Sequence, residues 1–489
     1  MSELKRKAIK GIKWNFLDKG GVQFVQFVFS ILIARILVPE DYGLIGMISI
    51  FLVLSQLFIN SGFSTALIQK GNDVTQRDYS TVFFFNLIIG MALYLLLFFG
   101  APLIADFYGE SRLVLLTRLI GLNLVIMSMA LIQSTIFAKR INFKTTAKIN
   151  VISAVSSSIL GWLMALNGFG VMSLVAMILS ESLIRTIFLW LYSSWRPSMH
   201  FSMKSFKSLF AVGSKLLIAT LFNRIGNNIY SMVIGKFYTL QDVGYYDQAK
   251  KIQDRTGNLV TATIQGVLFS TQSLFKDELS RLRNSIRTNI KVTSLIVFPV
   301  AFGLIAVARP FVELFLTEKW LPSVIYIQLL AFGGLFFTLH RINYDVCIVI
   351  GRADFYMKYT IASNILLLGI IFFCLKFEVS LTYLITGKIV WQFLSFGFFY
   401  FLFIRKNLKY GTREYLMDFL PAILVSLIMA AFVYYLGYLF GISWLVFGLQ
   451  ILSGVFLFVL LNMLTNKKIF IEILKVLFSF KPKLQSKHK

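Results

Sequence analysis

Long apolar runs alternate with short polar breaks along almost the whole chain. Runs such as NLIIGMALYLLLFFG extend to about 20 residues, enough for a helix to cross a hydrocarbon core of about 30 Å. They lack the strict alternation of a membrane barrel strand. The pattern predicts about fourteen spans, centred near residues 25, 55, 93, 126, 156, 181, 222, 258, 303, 337, 368, 393, 429 and 453. The connections are short, and none could fold as a separate soluble domain. The expected class is an all-α polytopic membrane protein.

Polar positions inside the spans follow helical phase. In span 8, Asp247, Lys250, Lys251, Asp254, Asn258, Thr261 and Gln265 share one face, with Arg255 beside it. The opposite face is apolar (Ile252, Leu259, Val260, Ile264). In span 7, Arg224, Asn227, Asn228 and Ser231 share a face, with Lys215 nearer the inner end. Span 1 carries a milder stripe of Asn15, Asp18, Lys19 and Gln26. A charge at the bilayer centre costs at least about 2.5–3.5 kcal/mol, so these stripes mark either ion pairs or a wet route. Pairing of Asp247 with Lys251 and of Lys250 with Asp254 would neutralise span 8. The stripe nevertheless runs on as Asn, Thr and Gln, which a lined aqueous cavity explains. Glu181–Arg185 and Arg341–Asp345 have ion-pair spacing. Arg118 and Lys388 are lone cations within spans and read as ligand groups.

One corner occurs twice. ARILVPEDYG (34–43) and GKFYTLQDVG (235–244) both follow an apolar run, and Arg35, Asp41 and Gly43 match Lys236, Asp242 and Gly244 at an offset of 201. Pro102 in APLIADFYGE matches Pro310 in RPFVELFLTE at an offset of 208, and Arg140 and Phe143 match Arg352 and Phe355 at 212. Landmarks kept in order imply that the first twelve spans are two six-span copies. Six is even, so both copies enter the bilayer the same way round, related by a pseudo-two-fold axis along the membrane normal. The expected organisation is an N-lobe (1–195), a cytoplasmic linker (196–207), a C-lobe (208–404), spans 13 and 14 (405–466) and a basic amphipathic cytoplasmic tail (467–489). Two such lobes would leave a seam, and rocking would open it to each side in turn. Gln26 corresponds to Asn227 by the offset, so the two stripes are expected to face that seam.

Charge orients this frame. The 489 residues hold 48 Lys and Arg against 22 Asp and Glu, a formal net charge of +26, while 57% of residues are hydrophobic. With the N-terminus (KRKAIKGIK) inside, the loops AKRINFKTTAK, KDELSRLRNSIRTNIK and RKNLKYGTRE and the tail also fall inside. About 32 cations collect there against about five outside, a strong positive-inside signal with both termini cytoplasmic. The basic charge is thus explained without a nucleic-acid partner. Cys347 and Cys374 lie in apolar runs and suggest no disulfide framework. His200, His340 and His488 are far apart, so neither a metal nor any other cofactor is expected. No removable signal peptide is expected.

The second half is charged where the first is neutral (Asp247, Lys250 and Arg255 against Gly46, Ser49 and Leu54), and the lone cations leave a positive excess. An anionic ligand follows. Substrate contact is expected from Lys19, Gln26, Arg118, Lys215, Arg224, Asn227, Asn228, Lys250, Arg255, Asn258, Gln265, Arg341 and Lys388. Arginine suits phosphate because its planar fork donates two parallel bonds. The acids Asp18, Glu181, Asp247, Asp254 and Asp345 are the candidates to carry a coupling H⁺ or Na⁺.

ARILVPEDYGLIGM, NSGFSTALIQK, DYSTVFFFNLIIG, APLIADFYGE and KRINFK together resemble the polysaccharide transporter (Wzx-like) family of the multidrug/oligosaccharidyl-lipid/polysaccharide flippase superfamily. The resemblance covers most of the first half and continues more loosely through span 12. It implies a MATE-like pair of lobes around a cationic cavity, in the bacterial cytoplasmic membrane. It also implies a flippase for undecaprenyl-pyrophosphate-linked oligosaccharide, a repeat unit of O-antigen, exopolysaccharide or capsule. Membrane lipids, and other polysaccharide assembly proteins, are the further partners it suggests. Of the family's pattern only Arg35, Pro39, Asp41, Gly43 and Arg140 carry over by position. A drug/cation antiporter of the same superfamily would want an acidic, aromatic cavity. A glycan polymerase or ligase would need catalytic groups on a sizeable outer loop, and the outer connections ADFYGESR, NGFG, TEKW and KFEVS are short. A passive scramblase would lack ion dependence. The expectation is a transporter rather than an enzyme.

Overall fold

A computed structural model describes residues 3–60, 62–140, 142–254 and 278–465. They fold almost entirely into helices, with no strand among the described residues. The order is α1 (Glu3–Ile36), α2 (Pro39–Asn60), α3 (Phe63–Gln69), α4 (Gln76–Tyr108), α5 (Arg112–Lys139), α6 (Phe143–Leu166), α7 (Met172–Tyr192) and α8 (Met203–Phe237). Then come α9 (240–254), α10 (Leu279–Phe311), α11 (Ser323–Val349), α12 (Ala353–Lys376), α13 (Leu381–Phe399), α14 (Arg405–Leu408), α15 (Thr412–Phe440) and α16 (Trp444–Thr465). Thirteen of the fourteen expected spans centre on a described helix; the centre of the eighth, near residue 258, lies outside the described residues. Among the described residues, eleven helical segments are long and apolar enough to cross a membrane. Spans 1 and 7, whose sequences carry polar stripes, fall outside that count, and most of span 8 lies outside the described residues. The expected tail helix from Lys467 lies outside the described residues.

Local chemistry sets the helix ends. Thr75 and Asp78 form a reciprocal capping box at the start of α4, satisfying two backbone donors that the helix leaves open. The same helix stops at Gly109, which takes a left-handed conformation (φ 72°) that costs a glycine little. Asn142 caps α6 through the Thr145 amide, and Ser202 caps α8 through that of Ser205. The landmarks of the repeat fall at like places. Pro102 and Pro310 lie near the ends of α4 and α10. Arg140 closes α5 and Arg352 caps α12.

The chain divides into two units, residues 1–247 and 248–489, with the boundary inside α9. In the first, α4 packs on α5, α6 on α1 and α7, and α2 on α5 and α8. Phe63, Leu67, Val82, Phe83, Ile132 and Ile136 form one buried cluster there. In the second, α10 packs on α11 and α15, α11 on α13, and α15 on α16. Its core is aromatic, with Phe298, Phe396, Phe399, Phe403, Tyr400 and Tyr415 buried together. Spans 13 and 14, outside the repeat by sequence, therefore build on α10. Large apolar side chains stand outward elsewhere. Phe372 of α12 is 69% exposed and Leu464 of α16 is 75% exposed. Lipid covers such faces; the helices satisfy their own backbone polar groups.

Candidate functional site

The repeated corner proves to be a joint. Asp41 accepts the Val38 amide (3.4 Å), and Asp242 accepts the Thr239 amide (3.3 Å). Each acid thus closes the first turn of its helix, α2 or α9, and favours the positive end of the helix dipole. Thr239 adds what Val38 cannot: its hydroxyl accepts the Asp242 amide (3.1 Å), which completes a capping box. Pro39 stands at the first helical position, where its missing N–H is harmless. The glycines answer a different demand. A Cβ on Gly43 would come within 2.2 Å of the Leu240 carbonyl oxygen, and one on Gly244 within 1.9 Å of that of Pro39. Leu240 is Pro39 shifted by 201, so each corner presses its glycine onto the other's equivalent residue. Glu40 and Gln241, also 201 apart, bond across the joint at 2.5 Å. Self-complementary contacts of this kind mark a two-fold relation. Nearby, Lys236 donates to the Phe107 carbonyl and stands 4.9 Å from the centre of its ring. In the turn after α4, Arg112 grips Glu110 through Nε and Nη2, both at 2.8 Å, which holds that carboxyl below its usual range.

Deeper in the first unit, α1, α6 and α7 share a polar network. Asn150 of α6 donates its amide to both oxygens of Asp18 (3.0 and 3.1 Å). Gln26 donates to Glu181 of α7 at 3.0 Å. The helices that supply these two partners, α6 and α7, belong to the first six spans. Arg185 follows Glu181 by one turn, yet the pair that this spacing allows is not closed. Among the described residues Arg185 makes no ion pair or hydrogen bond, and its Nε is buried without a partner. It lines a cavity of about 110 Å³ with Gln56, Ser134, Ser182 and Thr186, walled by Met127 and Leu131. Arg118 of α5 instead packs over the Phe98 ring at 4.5 Å and donates to the Phe98 carbonyl at 3.2 Å.

In the second unit, Gln253 of α9 lies against Gly334 of α11, where a Cβ would stand 2.8 Å from its amide nitrogen. Lys388 of α13 is held electrostatically by Asp254, so these two of the expected ligand and coupling groups belong to one cluster. Lys250 and Asp247 are half-buried on the same helix. Arg341 and Asp345 attract one another one turn apart on α11 without reaching ion-pair distance among the described residues, and Arg341 is exposed. Asn228 lies half-buried on α8. Lys19 on α1 and Lys215, Arg224 and Asn227 on α8 have side chains outside the described structure. Arg255, Asn258 and Gln265 lie outside the described residues altogether.

A stronger cluster was not expected from the spans. Asp418 of α15, only 3% exposed, accepts Arg287 Nε (2.7 Å) and Nη2 (3.1 Å), and Lys291 (3.0 Å). The Tyr410 hydroxyl donates to it as well, and Arg283 pairs with Glu414. Arg283, Arg287 and Lys291 follow at i, i+4 and i+8 on α10, a signal visible in sequence as a basic stripe. By sequence alone the stripe signals only inward-side charge. The partners come from α15, about 130 residues away, and no local pattern names them.

Helices of membrane-spanning length, a doubled corner and buried polar groups inside the bundle define a multi-pass membrane transporter fold. Solved structures share it. The lipid II flippase MurJ in an inward closed conformation superimposes with a TM-score of 0.76 at 16% identity, covering 94% of this chain and all of the other. An inward-facing multidrug resistance MATE transporter of the MOP superfamily gives 0.61 at 14% identity, over 81% of this chain and 99% of the other.

The chain belongs to the polysaccharide biosynthesis protein family, whose model matches residues 32–325. It is 28% identical over 436 residues to the teichuronic acid biosynthesis protein TuaB of Bacillus subtilis, covering 88% of each chain. It is 22% identical to the lipopolysaccharide biosynthesis protein WzxC of Escherichia coli over 434 residues, 86% of this chain and 87% of that one. The succinoglycan biosynthesis transport protein ExoT of Rhizobium meliloti matches at 26% over 311 residues, 64% of this chain and 63% of that one.

Proposed function

We propose that this protein is a flippase that carries a polyprenyl-pyrophosphate-linked oligosaccharide from the inner to the outer leaflet of the bacterial cytoplasmic membrane by alternating access. The observation that carries the reading is the near full-length similarity to TuaB, together with the MurJ-like fold. The physical task fits. A polyprenyl tail is stable in the bilayer. Its pyrophosphate is not: the idealised Born cost of one such ion at low dielectric is about 20 kcal/mol. Polar groups within the helices must therefore replace water around the head while the tail stays in lipid.

In this reading Arg118, Arg224, Lys250 and Arg255 hold the pyrophosphate, and Gln26, Asn227, Asn228 and Gln265 face the sugars. One of Asp18, Glu181, Asp247, Asp254 and Asp345 carries a coupling H⁺ or Na⁺. Both termini are cytoplasmic, and the protein moves its substrate without chemical change. The test is transport of a fluorescent lipid-linked oligosaccharide by the purified protein in proteoliposomes. Protected label should appear across the bilayer, and cationic dyes should not be moved. Dye efflux without glycolipid movement would replace this reading with that of a drug antiporter. Polymerisation of the glycolipid in the same vesicles would show an enzyme instead.

A further inference from the structure

We infer that the cavity between α2, α5 and α7 is a binding subsite for one phosphate-type oxyanion, with Arg185, Gln56 and Ser182 as its donors. The cavity of about 110 Å³ has room for three or four waters at about 30 Å³ each, or for one tetrahedral oxyanion. Its polar wall is donor-rich. The side chains of Arg185, Gln56 and Ser182 line it and make no hydrogen bond among the described residues, whereas Ser134 and Thr186 are spent on backbone carbonyls. Arg185 Nε is buried without a partner. A guanidinium inside a membrane span without a closed ion pair is costly, and it is kept where it faces water or a ligand.

The local charges point the same way. Glu181, one turn back, accepts the Gln26 amide, and Asp18 accepts that of Asn150. Both acids attract Arg185 electrostatically, yet neither closes an ion pair with it. Neither acid takes up the guanidinium's hydrogen-bond donors. Met127, Leu131, Ile59 and Ala130 supply the remaining wall, which lowers the local dielectric and strengthens a charge-assisted bond. This site was legible only in part from sequence: Arg185 showed as half of an i, i+4 pair, and Gln56 and Ser182 showed no pattern.

The subsite deepens the proposed transport of a pyrophosphate-linked lipid and rests on that reading for its role, though not for its chemistry. Inorganic phosphate and pyrophosphate, titrated calorimetrically against the purified full-length protein in detergent, test it. Wild type should bind, and Arg185→Gln should weaken binding about tenfold or more, the scale of one lost charge-assisted hydrogen bond. Gln56→Ala and Ser182→Ala should each weaken it less. Arg185→Lys keeps the charge and should retain measurable binding, which guards against a fold defect in the glutamine variant. Arg309→Gln, at an exposed ion pair with Glu313, should bind like wild type.

No phosphate binding by wild type, or equal binding by wild type and Arg185→Gln, overturns the subsite. A parallel titration with farnesyl pyrophosphate separates the two sources of the anion. Tighter binding than inorganic pyrophosphate supports a lipid-borne phosphate, and equal binding supports the free ion. The two proposals fail separately. Phosphate binding that depends on Arg185 in a protein that moves no glycolipid keeps the subsite and removes the flippase. Glycolipid transport with phosphate binding indifferent to Arg185 does the reverse.

Discussion

Alanine at Gly43 or Gly244 would force the doubled corner apart. Ordinary contact begins at 3.4 Å, and the new Cβ atoms would lie 2.2 Å from the Leu240 oxygen and 1.9 Å from the Pro39 oxygen. The differences require α2 and α9 to separate by about 1.2 Å for G43A and about 1.5 Å for G244A. The obstructing atoms are backbone, so no side chain can swing aside to relieve them. Such a shift carries the Glu40–Gln241 contact from 2.5 Å beyond hydrogen-bond reach. Overpacking costs roughly 1–3 kcal/mol, and occasionally more. Alanine recovers about 1 kcal/mol in helix propensity, so a net loss of up to about 2 kcal/mol is expected for each variant.

The two contacts share one separation coordinate. Once the helices have parted for the first alanine, the second meets a gap already open, and the double variant should cost about 1 kcal/mol less than the sum. The assay is disulfide cross-linking of Glu40→Cys with Gln241→Cys, in a chain whose two native cysteines, Cys347 and Cys374, are replaced. Thermal unfolding in detergent supplies the stability change. Gly100→Ala, on α4 with open space around the new Cβ, serves as the control and should keep or raise stability. Parental cross-linking rate and unfolding temperature in both G43A and G244A, or strict additivity in the double variant, would refute the joint.

The remaining predictions concern charge. Asp418→Asn should lower the unfolding temperature, because Arg287 and Lys291 lose their shared buried partner. Breaking a buried pair costs about 3–5 kcal/mol, and the partial exposure of both cations (28% and 30%) places this loss near the lower figure. Charge reversal by Arg118→Glu or Lys250→Glu should abolish surface polysaccharide while protein levels stay normal, as read by blotting beside glycan staining; wild-type output would remove these residues from the substrate route. An imposed inside-negative potential should speed export in proteoliposomes, since it favours outward movement of an anion by about 2.3 kcal/mol per charge per 100 mV. Rates indifferent to potential would argue against a charged cargo in transit.

Much of the architecture was legible because its causes are local. A run of twenty apolar residues signals its span wherever the neighbours lie, and Pro39, Asp41, Thr75 and Asp78 act within one helical turn. The doubled corner could be recognised as a repeat from spacing alone. The candidate site was less legible. Helical phase places Asp18 and Gln26 on a polar face of α1, but a stripe does not say which helix it meets. The structure brings Asn150 to Asp18 and Glu181 to Gln26. Spacing offered Glu181 to Arg185 as an ion pair; burial beside a cavity left the arginine uncommitted.

By itself, then, the amino-acid order determined the class of molecule and the positions of its described spans, because each is written in patterns only a few turns long. The tertiary structure alone decided that Gly43 and Gly244 exist for each other's corner, that α15 brings Asp418 to the basic stripe of α10, and that Arg185 faces open space. Those facts depend on which surfaces meet across a hundred residues or more, and side-chain periodicity carries no information about that choice.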